Sequence, residues 1–272
     1  MNVDTARRES ENACARIDAH YATALDCQVS DLHAGEWRSL VSLADDSAVS
    51  RSNGLRQVLY LLAPVHAGAR APNPGGVALL AHELRVPIER LLNSAQPRDF
   101  FQPARLTQLD RLVRDGVKRP LAPGCEPRLC VWYATPARFT PYRGPWIDWI
   151  DQLDPHSETN PLGRSLLARY AGGVFVVRIH DSIIAYAGLR ASSGLVWELT
   201  PPQLTASGYA RLVGQQDTLM RALLARATRA AHEAERIPIC TTTFREVQLR
   251  RSLVTLGFRH YAHASAYATA AA

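Results

Sequence analysis

The sequence predicts a mixed α/β fold of the α+β class, a mixed and mostly antiparallel sheet flanked by helices. Three observations predict it. First, residues 172–199 read as strand, tight turn, strand, tight turn, strand: VFVVRIH (174–180), Asp181-Ser182, IIAYAGL (183–189), the turn at 191–194 and LVWEL (195–199). Short β-branched and aromatic segments bounded by Gly, Asp and Ser mark an antiparallel meander. Second, residues 217–234 carry apolar side chains at three- and four-residue spacing, the pattern of a long amphipathic helix. Third, the strand IPICTTT (237–243), a helix over 247–256, the helix stop Gly257 and a last strand over 258–267 follow in close succession.

The earlier elements are expected as follows. Residues 1–45 read as helical, with alanine and charge mixed into apolar spacing over 6–25 and Asp31 placed to cap a helix from His33. Residues 46–56 are rich in turn formers and predict a loop. Residues 58–62 predict a short buried strand ended by Pro64, and AGARAPNPGG (67–76) a Pro/Gly loop. An apolar helix is expected over 76–84, with a continuation over 87–92. Leu106, Leu109, Leu112 and Val113 share one face of a further helix. The stretch RPLAPGCEPR (119–128) holds three prolines and a glycine. It is the expected boundary between a divergent N-terminal domain (1–128), mainly helical or a degenerate α/β unit, and a C-terminal domain (129–272). Within the latter, 129–133 predicts a strand, 135–145 turns, 146–153 and 162–170 short helices, and 203–215 a loop.

Composition narrows the function classes. The formal net charge is +6, almost all of the basic charge being arginine, with Lys118 as the lone lysine. Such a surplus suits solvated surface, an anionic cofactor or nucleic acid. No Lys/Arg stripe interleaved with aromatics is present, so a nucleic-acid partner is not expected. The five cysteines, Cys14, Cys27, Cys125, Cys130 and Cys240, are odd in number and irregular in spacing. Cys125 and Cys130 do not make the tight pair of a zinc motif, so reduced thiols in a cytoplasm and no metal are expected. The N-terminus lacks the apolar core of a signal peptide, and no apolar run approaches the ~20 residues needed to span a bilayer, so no membrane partner is expected either. GxxxxGK[ST], HExxH and GxSxG are all missing.

One set of residues carries more. The third strand of the meander ends Glu198-Leu199-Thr200-Pro201. The segment Arg211-Leu212-Val213-Gly214-Gln215-Gln216 opens into the long helix, and Leu256-Gly257-Phe258 closes the last helix. This combination resembles the GNAT superfamily of N-acyltransferases, with their Thr/Val-x-Pro strand end, their Q/R-x-x-G-x-G/A pyrophosphate loop and their late LGF. The resemblance covers about half the chain, residues 129–270. A weaker likeness, through His20-Tyr21 up to Cys27, reaches a GNAT subgroup with a divergent leading domain. The resemblance implies acetyl-CoA or another acyl-CoA as co-substrate, no metal, and an amine of a small molecule or peptide as acceptor; a homodimer is left open. A second register is available for the loop, with Ala206-Ser207-Gly208-Tyr209-Ala210 in the place of the family's GRGYA. The sequence departs from the family in having Gln216 where Gly or Ala is usual, a longer link over 202–210, and Glu246 where an asparagine is common.

Carried over residue by residue, the likeness makes Glu198 the general base and Tyr261 the acid for the departing thiolate. The cofactor-binding residues are then Leu199, Thr200, Arg211, Val213, Gly214, Gln215 and Gln216. The physics of the loop agrees, because a helix N-terminus offers unpaired N–H groups and a positive dipole end to a pyrophosphate. Arginine adds a charge-assisted contact. Against these roles stand ordinary ones: Glu198 as a solvent-facing strand residue, Tyr261 as an aromatic packed on the sheet, Cys240 as core. The aromatic stretch Phe139–Trp149 is a candidate for shaping the acceptor site. His260 and His263 are further groups that titrate near neutrality.

Overall fold

The structure, a computed structural model, describes residues 3–42, 55–65, 74–122 and 125–270. In chain order its elements are α1 (Val3–Ala24), a 3-10 turn (Val29–His33), β1 (Trp37–Ser42), β2 (Leu55–Pro64), β3 (Gly76–Ala81), a 3-10 turn (His82–Leu84), α2 (Arg85–Leu92), α3 (Pro97–Phe100), α4 (Pro103–Gly116), β4 (Glu126–Tyr133), a 3-10 turn (Ile147–Trp149), β5 (Ile150–Gln152), α5 (Pro161–Arg169), β6 (Gly173–Ile179), β7 (Ser182–Ala191), β8 (Val196–Leu199), β9 (Gln203–Leu204), α6 (Ala206–Arg211), α7 (Gln216–Glu233), β10 (Ile237–Thr243), α8 (Val247–Thr255) and β11 (Arg259–Ala270). Two compact units result, each drawn from separate stretches: Met1–Ile17 with Trp132–Arg259, and Asp18–Val131 with His260–Ala272. They are called units one and two here. No helix among the described residues is long and apolar enough to cross a membrane.

In unit one the strand order is β4-β10-β8-β7-β6-β5, the end of β4 belonging to this unit, with β9 paired to β7. The meander is antiparallel, as the turns at Asp181 and Ser193 dictate, and β10 joins β8 in parallel. The mixed, mostly antiparallel character expected from the sequence is what forms. One face of α7 is apolar throughout, and Leu219, Leu223, Leu224, Ala227 and Ala231 are all fully buried. They meet Phe175, Val177, Ala187, Leu189 and Leu199 from the sheet and Leu249 and Leu253 from α8. Burying each such leucine contributes about 1.5–3 kcal/mol. The alanines let α7 lie close to the strands. A second cluster forms where α5 brings Leu166, and the following Tyr170, to Val174, Val176 and Ile183.

In unit two the order is β1-β3-β2-β11-β4. β1 runs parallel to β3, while β3, β2 and β11 are antiparallel in turn. Leu84, Ile88, Leu91 and Leu92 join Phe100, Leu106, Leu109 and Val113 in covering Val58, Leu61, Ala78 and Leu80.

Several elements differ from expectation for physical reasons. Residues 76–81 form a strand rather than a helix: GVALLA is buried at every position, so no alternation separates strand from helix in such a run. Residues 1–45 are not one helical segment, because α1 ends at Ala24 and Trp37–Ser42 pairs with β3. Residues 150–152 are strand, tied to β6 as an edge. Residues 203–215 hold β9 and α6 in place of a loop. The expected loops at 46–56 and 67–76 lie largely outside the described residues.

Candidate functional site

The site in unit one is defined by how β8 leaves β10. The two strands are paired at only three positions, Val196↔Ile237, Trp197↔Pro238 and Glu198↔Ile239. β10 continues to Thr243, but the chain after β8 stays with β7 instead. The Thr200 N–H donates to the Gly188 carbonyl at 2.9 Å. Its hydroxyl donates to the same carbonyl at 3.1 Å and accepts from the Gly188 N–H at 3.0 Å. Past Pro201-Pro202, β9 pairs Gln203 and Leu204 with Tyr186 and Ala185, and the Thr205 N–H reaches the Ile184 carbonyl at 2.9 Å. Segment 200–205 thus tracks β7, and Cys240–Thr243 of β10 run on past the last pair with β8. The carboxyl ends of strands are where open α/β sheets take ligands, and this is the end at which β8 and β10 part.

Glu198 is the last paired residue of β8 before this opening. It is half-buried, and its carboxylate accepts from the Arg190 guanidinium at 3.1 Å, across the β7/β8 pair. Arg190 was not among the residues expected; the cross-strand register that pairs it with Glu198 is invisible without the fold. Cys240 is fully buried one position beyond the last pair, and burial, Glu198 and Glu246, in that order, push its thiol strongly up. That protonated thiol is core, as the ordinary reading had it, and no nucleophile. The Glu246 carboxylate accepts from the Thr243 N–H at 2.6 Å at the start of α8. Trp132 Nε1 on β4 donates to Thr242 Oγ1 at 3.0 Å, tying the end of β10 on the side away from β8.

The expected phosphate loop falls at the junction of α6 and α7. Leu212 is buried in the core, while Arg211, Val213, Gly214 and Gln215 are exposed. Gly214 takes a left-handed φ of 78°, which turns the chain between the helices. Gln215 is the N-cap of α7 and its side chain makes no cap hydrogen bond to the first N–H groups of that helix. Asp217 stands in the same first turn, where its charge opposes an incoming anion. In the other register, Gly208 has a packing role: a Cβ there would lie 2.0 Å from the Ile184 carbonyl. Thr205 caps α6 by accepting from the Gly208 N–H at 3.2 Å.

Tyr261 is placed in unit two, whereas Glu198 lies in unit one. It is 1% exposed, stacks on Tyr21 and donates its hydroxyl to Asp18 Oδ1 at 2.5 Å. The other Asp18 oxygen is 2.9 Å from His33 Nε2, whose imidazole is held above its ordinary pKa, chiefly by that hydrogen bond. Tyr261→Phe is expected to leave a buried carboxylate short of one donor and to cost about 1–3 kcal/mol in urea unfolding. A change under about 0.5 kcal/mol would mean that the Tyr261–Asp18 bond does not form.

Phe139 from the expected acceptor stretch lines an open cleft of about 320 Å³ with Pro136, Pro141, Arg229, His232 and Glu233. His232 meets the Phe139 ring edge-on and donates toward the Ala134 carbonyl at 3.2 Å; burial lowers its pKa. Neither Glu198 nor 211–216 lines this cleft.

Solved structures similar to the chain include a protein of Novosphingobium aromaticivorans assigned to the GNAT family (18% identity, 53% of this chain and 65% of that one, TM-score 0.41). A GCN5-related N-acetyltransferase from Kribbella flavida matches at 15% identity over 60% of this chain and 64% of its own (TM-score 0.39). A GNAT-family acetyltransferase from Colwellia psychrerythraea matches at 12% over 60% and 61% (TM-score 0.38). The chain spans less than two thirds of the length of each, 61–65%. No family model and no curated protein matches the chain.

Proposed function

We propose that unit one is an acyl-CoA-dependent N-acyltransferase. The observation that carries this reading is the parting of β8 from β10 directly after Glu198, followed in sequence by α7, whose N-cap residue Gln215 makes no side-chain cap. An acyl-pantetheine arm laid in the opening would run beside β8, with Leu199 and Thr200 as its nearest backbone. The pyrophosphate would meet the first turn of α7, Gly214 allowing close approach and Arg211, which forms no ion pair among the described residues, supplying positive charge.

In the reaction the acceptor amine attacks the thioester carbonyl, its nitrogen forming the new C–N bond as the C–S bond breaks. Glu198 takes the proton that the amine must lose, directly or through one water. The CoA sulfur leaves as thiolate and is protonated from solvent; the Tyr261 hydroxyl is already committed to Asp18. No covalent enzyme intermediate is needed. The acceptor is assigned as an amine of a small molecule or peptide.

A second reading, acyl-CoA binding without turnover in a regulatory role, is favoured by two observations. Arg190 engages the carboxylate of Glu198, and Asp217 weakens the anion site on α7. The thermal midpoint with and without excess acetyl-CoA tests the site that both readings share. At 100 times Kd the native state gains about 2.7 kcal/mol, expected as a rise of several degrees. The rise should shrink when Gly214 is replaced by tryptophan. No rise with acetyl-CoA, longer acyl-CoAs or CoA itself would remove both readings.

A further inference from the structure

In unit two, Cys130, His260 and His263 bring one thiol and two imidazoles together, the donor atoms all within 4.8 Å of one another. We propose that they form a binding site for a thiophilic divalent ion of the zinc class, independent of any acyl transfer.

The donor set suits such an ion. Zinc takes cysteine and histidine at about 2.3 and 2.0–2.1 Å in tetrahedral geometry, which separates its donors by about 3.5 Å. Cys130 Sγ lies 3.9 Å from His263 Nδ1, so small side-chain adjustments close the remaining distance. His260 Nε2 is 2.9 Å from the Ala262 carbonyl. A carbonyl oxygen only accepts, so Nε2 carries the hydrogen and the lone pair of the neutral ring falls on Nδ1. This is the outer hydrogen bond that commonly orients a metal-bound histidine. The ring of His263 is held by stacking on Phe101 at 5.2 Å and by the edge of His260 at 4.5 Å.

The setting also decides what kind of site it would be. The Cys130 thiol is buried on β4, while both histidines on β11 are half-buried, which leaves a path for an ion. Three protein donors leave the fourth tetrahedral corner for water or an external ligand. Arg128, two positions before Cys130 on β4, places positive charge on His263. That charge disfavours the bare ion, is offset by the thiolate, and favours a hydroxide or an anionic group in the fourth position. Binding releases the Cys130 proton and joins β4 to β11 through Sγ–metal–N bonds.

The test uses the full chain, stripped with a chelator and titrated with Zn²⁺ and separately with Co²⁺. One Zn²⁺ per chain is expected, with a rise of a few degrees in the thermal midpoint. Co²⁺ should give a thiolate-to-cobalt charge-transfer band and visible bands of tetrahedral type. Cys130→Ser should remove the charge-transfer band, and His260→Ala and His263→Gln should each weaken Zn²⁺ binding at least ~10-fold. Absence of saturable binding overturns the proposal. So does binding that these variants leave unchanged. Should Cys130→Ser fail to fold, the half-exposed His260→Ala decides alone.

Discussion

Gly257→Ala is expected to destabilise the protein by about 2–5 kcal/mol, lowering the thermal midpoint by roughly 5–15 °C. Two separate penalties meet at this residue. Gly257 has φ 88°, the left-handed conformation that ends α8. The Phe258 N–H bonds the Leu253 carbonyl and the Gly257 N–H bonds that of Val254, both at 3.0 Å, a complete Schellman closure. A side chain at Gly257 would strain the backbone by about 1–2 kcal/mol. Its Cβ would also lie 2.0 Å from the Arg138 carbonyl, a backbone atom that no rotamer change can move aside. Relieving such an overlap costs about 1–3 kcal/mol. Two other glycines separate the penalties. Gly214 has φ 78° with nothing within 4 Å of a Cβ, so Gly214→Ala reports the backbone cost alone. Gly208→Ala, 2.0 Å from the Ile184 carbonyl without a positive φ, reports the contact alone. Gly194, open on both counts, is the control. Urea unfolding should order the losses 257 above 208 and 214, and 194 near zero. If Gly257→Ala behaved like Gly194→Ala, the α8 closure against residue 138 would not exist in solution.

The Gly-Phe stop of α8 was legible because it is local: a left-handed residue after an amphipathic run can be named from a few positions. The meander and α7 were legible for the same reason, since their periodicities are written into adjacent residues. Continuous burial hid β3, whose six apolar residues carry no period. The chemistry was harder. Glu198 could be singled out through the family likeness, but its ion pair with Arg190 depends on the β7/β8 register. Gly208 was legible only as a loop glycine; its real constraint is the approach of α6 to β7. Asp18 and Tyr261 meet across 243 positions, and Cys130 meets His263 across 133. No spacing rule reaches that far, which is why neither the Tyr261–Asp18 bond nor the Cys130–His263 contact was legible.

Glu198→Gln should lower kcat by about 10²–10⁴-fold while leaving the acetyl-CoA-induced rise in thermal midpoint intact. The amide keeps the size of the carboxylate and can still accept from Arg190, but it cannot take a proton from an ammonium. Stability should change little, because a pair with side chains 38% and 32% exposed contributes no more than about 1 kcal/mol. The fall in rate would therefore report chemistry and not folding. If Glu198→Gln keeps full turnover, the proton goes elsewhere. Glu246, the other carboxylate acting on Cys240, is then the next residue to change; it also accepts from the Thr243 N–H in the turn ahead of α8. If acetyl-CoA binds but no amine is acylated by the parent chain, the Arg190-engaged Glu198 and the Asp217-weakened loop describe a fold that has kept its ligand and given up the reaction, and the regulatory reading stands.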